Sequence, residues 1–339
     1  MKLLHSADWH LDSPLAEDAG LRSHLLQIPG AVADLAIREQ CDLVLLSGDL
    51  FDGPASPQSV AALRRALESL SVPVFISPGN HDCLTQGPWQ TEAWPENVHI
   101  FTSETPQSVA LPRLNCRVWG AAFRAGEAKP LLQDFRAEGD ERYAVGVFHG
   151  DPTQANSAYN PVTRSQVRES GLDYLALGHI HKGDSFRAGD TLCAWPGCAM
   201  GRGFDETGEK GVLIVTLAES AEARFVPLPL PRFYWLQATK QDLAAQLQAA
   251  PTGDHYRVDL TGEWDSPDLE ALKRQFAHIP HLQLRDHTVM PIDLWQNAGA
   301  DSLEGVYFAL LRDSDALPSV REQAARISRQ LLSGQEVTL

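Results

Sequence analysis

The chain has 339 residues, of which 43% are hydrophobic and 21% are charged, and its formal net charge is −16 at pH 7. The length predicts one large domain with an accessory piece, and the composition excludes a disordered chain. Asp and Glu number 44 against 28 Lys and Arg, so the chain as a whole lacks the basic character that is usual in a DNA-binding protein.

In chain order, the first 230 or so residues alternate apolar runs with helical patterns. Leu3 to Ala7 is predicted as a strand, and a helical stretch follows that ends near Gln40. Residues 42–47 and 72–77 are predicted strands on either side of an amphipathic helix over 59–70. Further strands are predicted at 142–148, 172–177, 191–195 and 212–217. Strands that alternate with helices predict an α/β domain.

The composition changes at Val226 to Pro231, where three prolines at every second position predict an extended linker. We therefore predict a first domain over 1–228, a smaller α+β capping domain over 232–295 and a helical segment over 300–339. An apolar stripe marks this last segment and consists of Val320, Ala324, Ile327 and Leu331. Most such stripes pack on their own domain, and docking of a partner helix is the alternative.

The N-terminal apolar run is too short for a signal peptide, and no stretch approaches the ~18 apolar residues that span a bilayer. We therefore expect a cytoplasmic protein without a membrane partner. The five cysteines form no CxxC pair, which fits a reducing compartment and argues against a disulfide framework or a thiolate zinc site.

Polar motifs follow directly after five of the predicted strands. They are D-x-H at Asp8–His10, G-D-x-x-D at Gly48–Asp52, G-N-H-D at Gly79–Asp82, H-G at His149–Gly150 and G-H-x-H at Gly178–His181. Ligand sites in α/β sheets lie at the carboxyl ends of strands, so the five ends are expected to converge on one cleft.

The residue types in these motifs predict a metal site. Carboxylate and amide oxygens together with imidazole nitrogens suit Mn, Fe or Zn rather than Ca. The D-x-H and H-x-H spacings place two side chains on alternate positions of an extended segment, so that both point the same way. A single histidine is more often structural, but five motifs in this order favour metal binding.

The ordered motifs resemble the calcineurin-like metallophosphoesterase superfamily over roughly residues 1–215. Residues 5–14 and 196–211 also resemble the SbcD-type DNA-repair exonuclease branch, in particular its YhaO-like members. The resemblance implies a metallophosphoesterase α/β sandwich, with two central sheets flanked by helices, followed by the smaller α+β capping domain and the C-terminal helices.

The resemblance also implies a role for each motif residue. The metal ligands would be Asp8, His10 and His181 for the first ion, Asn80, His149 and His179 for the second, and Asp49 as the bridge. His81 would not be a ligand, but would face the scissile phosphate and protonate or stabilise the leaving oxygen. The two divalent ions, expected to be Mn with Fe, Zn or Mg as alternatives, would lie about 3.5–4 Å apart and activate a bridging hydroxide as the nucleophile.

Four residues keep two interpretations each. Asp82 could act in catalysis by orienting His81, or it could cap a turn. Asp52 stands where some relatives have a histidine, and it could hydrogen-bond to a ligand or cap the following loop. Arg202 and Lys210 lie in a Gly-rich stretch and could contact phosphate or lie in solvent.

The predicted function is hydrolysis of DNA phosphodiester bonds by a repair exo- or endonuclease that works with an SbcC-type ATPase subunit. Homodimerisation is implied by the resemblance alone. A phosphoesterase for small molecules or phosphoproteins would share every ligand, and the acidity of the chain favours it. A non-catalytic scaffold is the third hypothesis, and the complete set of ligand types argues against it.

Overall fold

The computed structural model describes residues 1–15 and 19–334. This part of the chain divides into two compact units. Unit 1 comprises Met1–Trp235, Pro251–Arg257 and His278–Leu282, and unit 2 comprises Leu236–Ala250, Val258–Ala277 and the chain from Gln283 onward. The division predicted from the sequence, with boundaries at 228–232 and 295–300, stays a prediction.

The strands are, in chain order, β1 (Lys2–Ser6), β2 (Leu43–Leu46), β3 (Val74–Ile76), β4 (Val98–Ile100), β5 (Gln107–Leu111), β6 (Cys116–Gly120), β7 (Tyr143–His149), β8 (Tyr174–Gly178), β9 (Lys182–Ala188), β10 (Thr191–Gly197), β11 (Gly211–Leu217), β12 (Ala221–Pro227), β13 (Phe233–Ala238), β14 (His255–Leu260) and β15 (His281–Asp286). The helices are α1 (Ala19–Leu25), α2 (Ile28–Arg38), α3 (Pro57–Glu68), α4 (Arg164–Glu169), α5 (Leu243–Leu247), α6 (Leu269–Gln275), α7 (Leu303–Arg312) and α8 (Pro318–Leu332), with a 3₁₀ turn at Pro112–Leu114.

Two six-stranded sheets form the framework of unit 1. Their strand orders are β12-β11-β1-β2-β3-β4 and β5-β6-β7-β8-β10-β9, and a three-stranded sheet has the order β13-β14-β15. In the first sheet β1 to β4 are parallel, and in the second sheet β6, β7, β8 and β10 are parallel. Within each parallel set the carboxyl ends of the strands lie at one edge, which is where the polar motifs begin.

Alternate side chains of the first sheet enter different cores. Leu4 and Val44 pack with residues of α1, α2 and α3, whereas Leu3 and Leu45 enter a core that they share with inward-facing residues of the second sheet. The other face of the second sheet packs with Val167 of α4. Because both faces of the parallel strands are buried, these strands are apolar almost throughout. The α/β sandwich flanked by helices that the sequence predicts is confirmed.

The elements that the prediction missed or misplaced have a physical explanation. β5, β9 and β12 lie at sheet edges, and long stretches of β9 and β12 are exposed, so they lack the apolar run that identifies a buried strand. β12 also takes in Val226 and Pro227 of the predicted linker, and proline is tolerated on an edge strand. The helical stretch before Gln40 is two helices rather than one.

In unit 2, α7 and α8 pack around a small apolar cluster. Phe308 and Ala325 are fully buried in it, and the guanidinium carbon of Arg329 lies 3.9 Å from the centroid of the Phe308 ring. The predicted stripe on α8 is exposed at both of its ends, since Val320 is 53% exposed and Leu331 is 62% exposed. Over residues 1–15 and 19–334, we find no helix that is long and apolar enough to cross a membrane.

Gly120 tests the packing between the two sheets. A Cβ at this position would lie 2.3 Å from ring carbons of Phe101, which is fully buried. We expect Gly120→Ala to lower the free energy of unfolding by about 1–3 kcal/mol, because the buried ring has to shift. Urea denaturation measures the change. Gly253→Ala is the matched control, because nothing lies within 4 Å of a Cβ there. Equal losses in the two variants would contradict the packing argument.

Candidate metal centre

The carboxyl ends of parallel strands deliver the motif residues to one place. Asp8 follows β1 and Asp49 follows β2, while His149 is the last residue of β7 and His179 follows the neighbouring β8. The two loops after β1 and β2 continue side by side. The Asp8 N–H donates to Gly48 O at 3.0 Å, and the His10 N–H donates to Asp49 O at 3.0 Å. The convergence of strand ends that the sequence predicts is therefore present.

Four of these residues have a left-handed backbone conformation. The φ angles are 54° at Asp8, 48° at His10, 52° at Asp49 and 100° at His179. A positive φ is uncommon outside glycine, although Asp, Asn and His adopt it more readily than other residues. Such conformations cluster at functional sites, where the surrounding structure holds them in place.

Potential ligand atoms fall into three overlapping groups in which all the atoms lie within 4.8 Å of one another. The groups are Asp8, His10 and His181; Asp49, His149 and His179; and His10, Asp49 and His81. The first group is the set predicted for the first ion, and the second contains two of the three ligands predicted for the second ion together with the predicted bridge. Asn80, the remaining predicted ligand, contacts the second group through its side chain.

In the second group, potential ligand atoms lie within hydrogen-bonding distance of one another. His149 Nδ1 donates to Ser47 O at 2.8 Å, and its Nε2 lies 2.9 Å from Asn80 Oδ1 and 3.2 Å from Asp49 Oδ2. His179 Nδ1 lies 3.1 Å from the same Asn80 oxygen. These atoms repel one another unless a cation or a proton lies among them. The donor set of carboxylate, amide oxygen and imidazole fits Mn, Fe or Zn.

The electrostatics of this group also favour positive charge. Burial alone would lower the pKa of His149, but the carboxylates of Asp49 and Asp8 outweigh it and raise the pKa to about 9. Burial would likewise raise the pKa of Asp49, but His149 and the neighbouring histidines hold it well below the usual range. This group of ligand atoms is thus built around an ionised carboxylate.

The first group shows the same pattern. His181 Nδ1 is 2.6 Å from Glu206 Oε1, and since a carboxylate only accepts, Nδ1 carries the proton. The Nε2 lone pair of His181 then faces His10 Nε2 at 3.1 Å. The Asp8 carboxylate accepts the backbone N–H of His179 at 3.0 and 3.1 Å, which connects the first group to the second.

The Asp49 carboxylate lies between the two groups. Its Oδ2 is 3.2 Å from His149 Nε2 and 3.9 Å from His10 Nε2, and its Oδ1 accepts the His81 N–H at 2.8 Å. This is the position that a ligand shared by two ions requires.

The His81 side chain lies at the open side of the site, where it is 45% exposed. Its Nδ1 is 2.7 Å from Asp52 Oδ1, and this hydrogen bond raises the pKa of His81. This contact of Asp52 differs from both of its interpretations, since His81 was not predicted as a ligand. The other carboxylate oxygen, Oδ2, lies 3.7 Å from Nδ1 of the predicted ligand His10. A protonated imidazole at the position of His81 can donate a proton to a bound group.

Asp82 does not have the orienting role that was one of its two interpretations from the sequence. Its buried carboxylate accepts the N–H groups of Gly79, Leu50 and Asp49 at 2.7, 2.8 and 3.2 Å. Burial and the neighbouring Asp49 raise the pKa of Asp82 to about 7. Asp82 therefore ties the loop after β2 to the loop after β3, and the residue that orients His81 is Asp52.

Arg202 also departs from expectation. It is 8% exposed rather than solvated, and its Nη2 and Nε donate to Glu206 at 2.7 and 3.2 Å. Lys210 lines a cleft of about 460 Å³ beside His181. Glu206 was not predicted from the sequence, although it lies in the stretch 196–211 that carries the branch resemblance. No local pattern marks a glutamate as buried.

Comparison with known proteins places this geometry in a family. Residues 1–183 match the calcineurin-like phosphoesterase family model. The chain is 33% identical over 233 residues to the uncharacterized metallophosphoesterase YhaO of Bacillus subtilis (strain 168), a match that covers 63% of this chain and 57% of that protein. The matched segment thus spans little more than half the length of YhaO.

Two nuclease components are more distantly similar. The chain is 26% identical over 273 residues to the SbcD component of the SbcCD nuclease of Bacillus subtilis (strain 168), covering 66% of this chain and 68% of that protein. It is 21% identical over 318 residues to the SbcD component from Staphylococcus epidermidis (strain ATCC 12228 / FDA PCI 1200), covering 82% and 84%. A solved dimetal phosphatase from Danio rerio superposes with a TM-score of 0.43 at 14% identity, covering 66% of this chain and 96% of that one.

The family model covers more than half of the chain, and the strand ends within the matched region carry the candidate dinuclear site. This chain therefore belongs to the calcineurin-like phosphoesterase family and is a metallophosphoesterase.

Proposed function

We propose that this metallophosphoesterase is a two-metal phosphodiesterase that hydrolyses DNA phosphodiester bonds. The observation that carries the proposal is the pair of ligand groups that meet at Asp49, with the exposed ring of His81 beside them. The choice of DNA as substrate is supported by the likeness to two proteins named as parts of an SbcCD nuclease.

In this proposal the first ion is held by Asp8, His10 and His181, the second by Asn80, His149 and His179, and both by Asp49. Two divalent ions, proposed to be Mn, would supply charge to offset the negative phosphoryl oxygens and would activate a water molecule. The chain would hold two of these ligands in place, His149 through Ser47 O and His181 through Glu206.

His81 is proposed to complete the reaction at the leaving group. Because Asp52 accepts the hydrogen bond from His81 Nδ1, Nε2 is the atom that would act on a bound phosphodiester. As the water oxygen loses a proton to solvent and bonds to phosphorus, the bond from phosphorus to the sugar oxygen breaks, and His81 gives its proton to that oxygen. General acid catalysis of this kind contributes about 10²–10⁴-fold to a rate.

The C-terminal helices are proposed to dock an SbcC-type ATPase subunit. An apolar groove of about 560 Å³ lies between α7 and α8, and its walls include Leu303, Tyr307, Leu331 and Leu332. Leu303 is 90% exposed, and both leucines of α8 are 62% exposed. Exposed apolar residues that adjoin in this way are typical of a surface that binds another protein. Homodimerisation and a cytoplasmic location stay expectations from the sequence.

One observation favours a second candidate function. The net charge of −16 repels a polyanion such as DNA, whereas a small phosphate ester or a phosphoprotein is repelled less. The same ligands would serve a small-molecule or phosphoprotein phosphoesterase, so the substrate has to be decided by assay.

The deciding assay compares end-labelled single- and double-stranded DNA with bis-p-nitrophenyl phosphate and p-nitrophenyl phosphate, each in Mn²⁺, Mg²⁺ or EDTA. We expect Mn²⁺-dependent cleavage of DNA. Hydrolysis of the small esters with DNA intact at low salt, even when an ATPase partner is added, would favour the second candidate.

We expect His81→Ala to keep both ions and to slow DNA cleavage by about 10²–10⁴-fold, because the leaving oxygen loses its proton donor. Equilibrium dialysis counts the bound Mn²⁺, and the rate follows from the end-labelled assay. His287→Ala is the control, because this exposed histidine lies in unit 2. Loss of an ion from His81→Ala would show instead that His81 is a ligand, as the third group of ligand atoms allows.

We expect Asp49→Ala to lose both ions, because its carboxylate lies between the two ligand groups. Mn²⁺ titration followed by electron paramagnetic resonance gives the stoichiometry. Asp173→Ala is the matched control, since this carboxylate accepts the Ala144 N–H at 2.8 Å without contacting a ligand. Two bound ions in Asp49→Ala would contradict the bridging role.

We expect Leu331→Glu to weaken binding of an SbcC-type ATPase by at least about tenfold, since the new charge would be buried in the interface. Hydrolysis of bis-p-nitrophenyl phosphate should be unchanged. Ile37→Glu, which changes a residue of α2 that is 53% exposed, is the control. Surface plasmon resonance measures the affinity, and equal binding by all three proteins would remove the docking surface from the proposal.

A further inference from the structure

A chain of charged side chains connects the proposed proton donor to a ligand of the first ion. Asp52 Oδ1 lies 2.7 Å from His81 Nδ1, and Asp52 Oδ2 lies 3.6 Å from Arg202 Nη1. Arg202 Nη2 donates to Glu206 Oε1 at 2.7 Å, and the same oxygen lies 2.6 Å from His181 Nδ1. The guanidinium thus stands between two carboxylates. Glu206 binds His181, and Asp52 binds His81 and lies 3.7 Å from His10 Nδ1.

The ion pair between Arg202 and Glu206 is buried. Arg202 is 8% exposed and Glu206 is 7% exposed. Removing two charges from water costs about as much as their attraction returns, so a buried ion pair adds little net stability. Stability alone therefore does not account for the pair. Both residues also lie beyond residues 1–183, the segment that the family model matches.

The hydrogen bonds fix the geometry of His181. Glu206 accepts the Nδ1 proton, so the Nε2 lone pair must point towards His10 Nε2, 3.1 Å away. Arg202 in turn holds Glu206 with three donors, because its backbone N–H binds Oε2 at 2.8 Å in addition to Nε and Nη2. Its Nη2 also lies 3.0 Å from His181 Nδ1. A carboxylate that orients a metal-binding histidine typically contributes about 10–100-fold to metal affinity or activity.

We propose that Arg202 is a positioning residue that holds His181 through Glu206 and His81 through Asp52, so that one guanidinium sets both the first-ion subsite and the proton donor. This inference rests on the proposed function, which assigns the roles of His181 and His81. It adds to the site two residues, Arg202 and Glu206, that lie outside the segment matched by the family model.

The first experiment measures metal binding alone. Mn²⁺ is titrated into wild type, Arg202→Met and Arg117→Met and followed by electron paramagnetic resonance, with thermal unfolding recorded for each protein. Arg117 is the matched control, because it forms a two-bond pair with Glu141 at 3.0 and 2.8 Å in unit 1 away from the site. We expect Arg202→Met to bind one of the two ions about 10–100-fold more weakly and the other with unchanged affinity.

The second experiment separates the effect of Arg202 on His181 from its effect on His81. At Mn²⁺ concentrations that fill both subsites, we expect Arg202→Met to slow cleavage of DNA more than cleavage of bis-p-nitrophenyl phosphate. The sugar oxygen needs the proton of His81, whereas p-nitrophenolate leaves without one. Glu206→Gln, which is close in size and changes a side chain that binds His181 and Arg202 rather than Asp52, should weaken binding of one ion but leave the ratio of the two rates unchanged. It also serves as the test if Arg202→Met fails to fold.

The outcomes are distinguishable. Wild-type affinity for both ions in Arg202→Met and Glu206→Gln would overturn the inference and leave the proposed function intact. Equal weakening of both ions would overturn it as well, since that indicates a general loss of structure. A wild-type protein that binds fewer than two Mn²⁺ would overturn the proposed function, and this inference with it.

Discussion

The site depends on potential ligand atoms that the fold forces close together. Buried polar atoms in proteins almost always have hydrogen-bond partners, and His149 Nε2 lies about 3 Å from both Asn80 Oδ1 and Asp49 Oδ2, so that a proton on Nε2 or a cation has to lie among them. The surrounding structure holds these atoms in place. Asp82 ties the two loops, and Gly79 lets the backbone pass so close that a Cβ would lie 2.3 Å from Asp49 Oδ1. The affinity for divalent cations comes from this enforced proximity.

The sequence was sufficient to predict the parts of the fold and site that depend on local patterns. Buried parallel strands are continuous apolar runs, and each run that ends in a polar motif delivers that motif to the shared edge of its sheet. Side-chain contacts that depend on the tertiary structure could not be predicted from the sequence. Asp82 is adjacent to His81 in the chain, but its carboxylate turns towards the backbone of two loops, while Asp52 reaches the imidazole from 29 residues away. The Arg202–Glu206 pair stands in a Gly-rich stretch that has no apolar periodicity to indicate burial.

Charge remains the main constraint on the proposed substrate. A chain with a net charge of −16 repels DNA at a distance, and the ligand groups themselves contribute carboxylates to that repulsion. Bound divalent ions invert the local potential, because an ion is often the largest charge in its site. Under the proposed function, the metal ions therefore act in substrate capture as well as in chemistry, and an ATPase partner would supply the basic surface that the composition of this chain does not.

The left-handed backbone at Asp8, His10, Asp49 and His179 limits how such a centre can change during evolution. Asp, Asn and His tolerate a positive φ, whereas β-branched residues do so only with strain. Exchange among these three types keeps the backbone conformation accessible while it alters the charge, the hardness and the reach of the donor atoms. The metal preference of such a centre can therefore vary by exchange among imidazole, amide and carboxylate donors, while the turns that carry them stay the same.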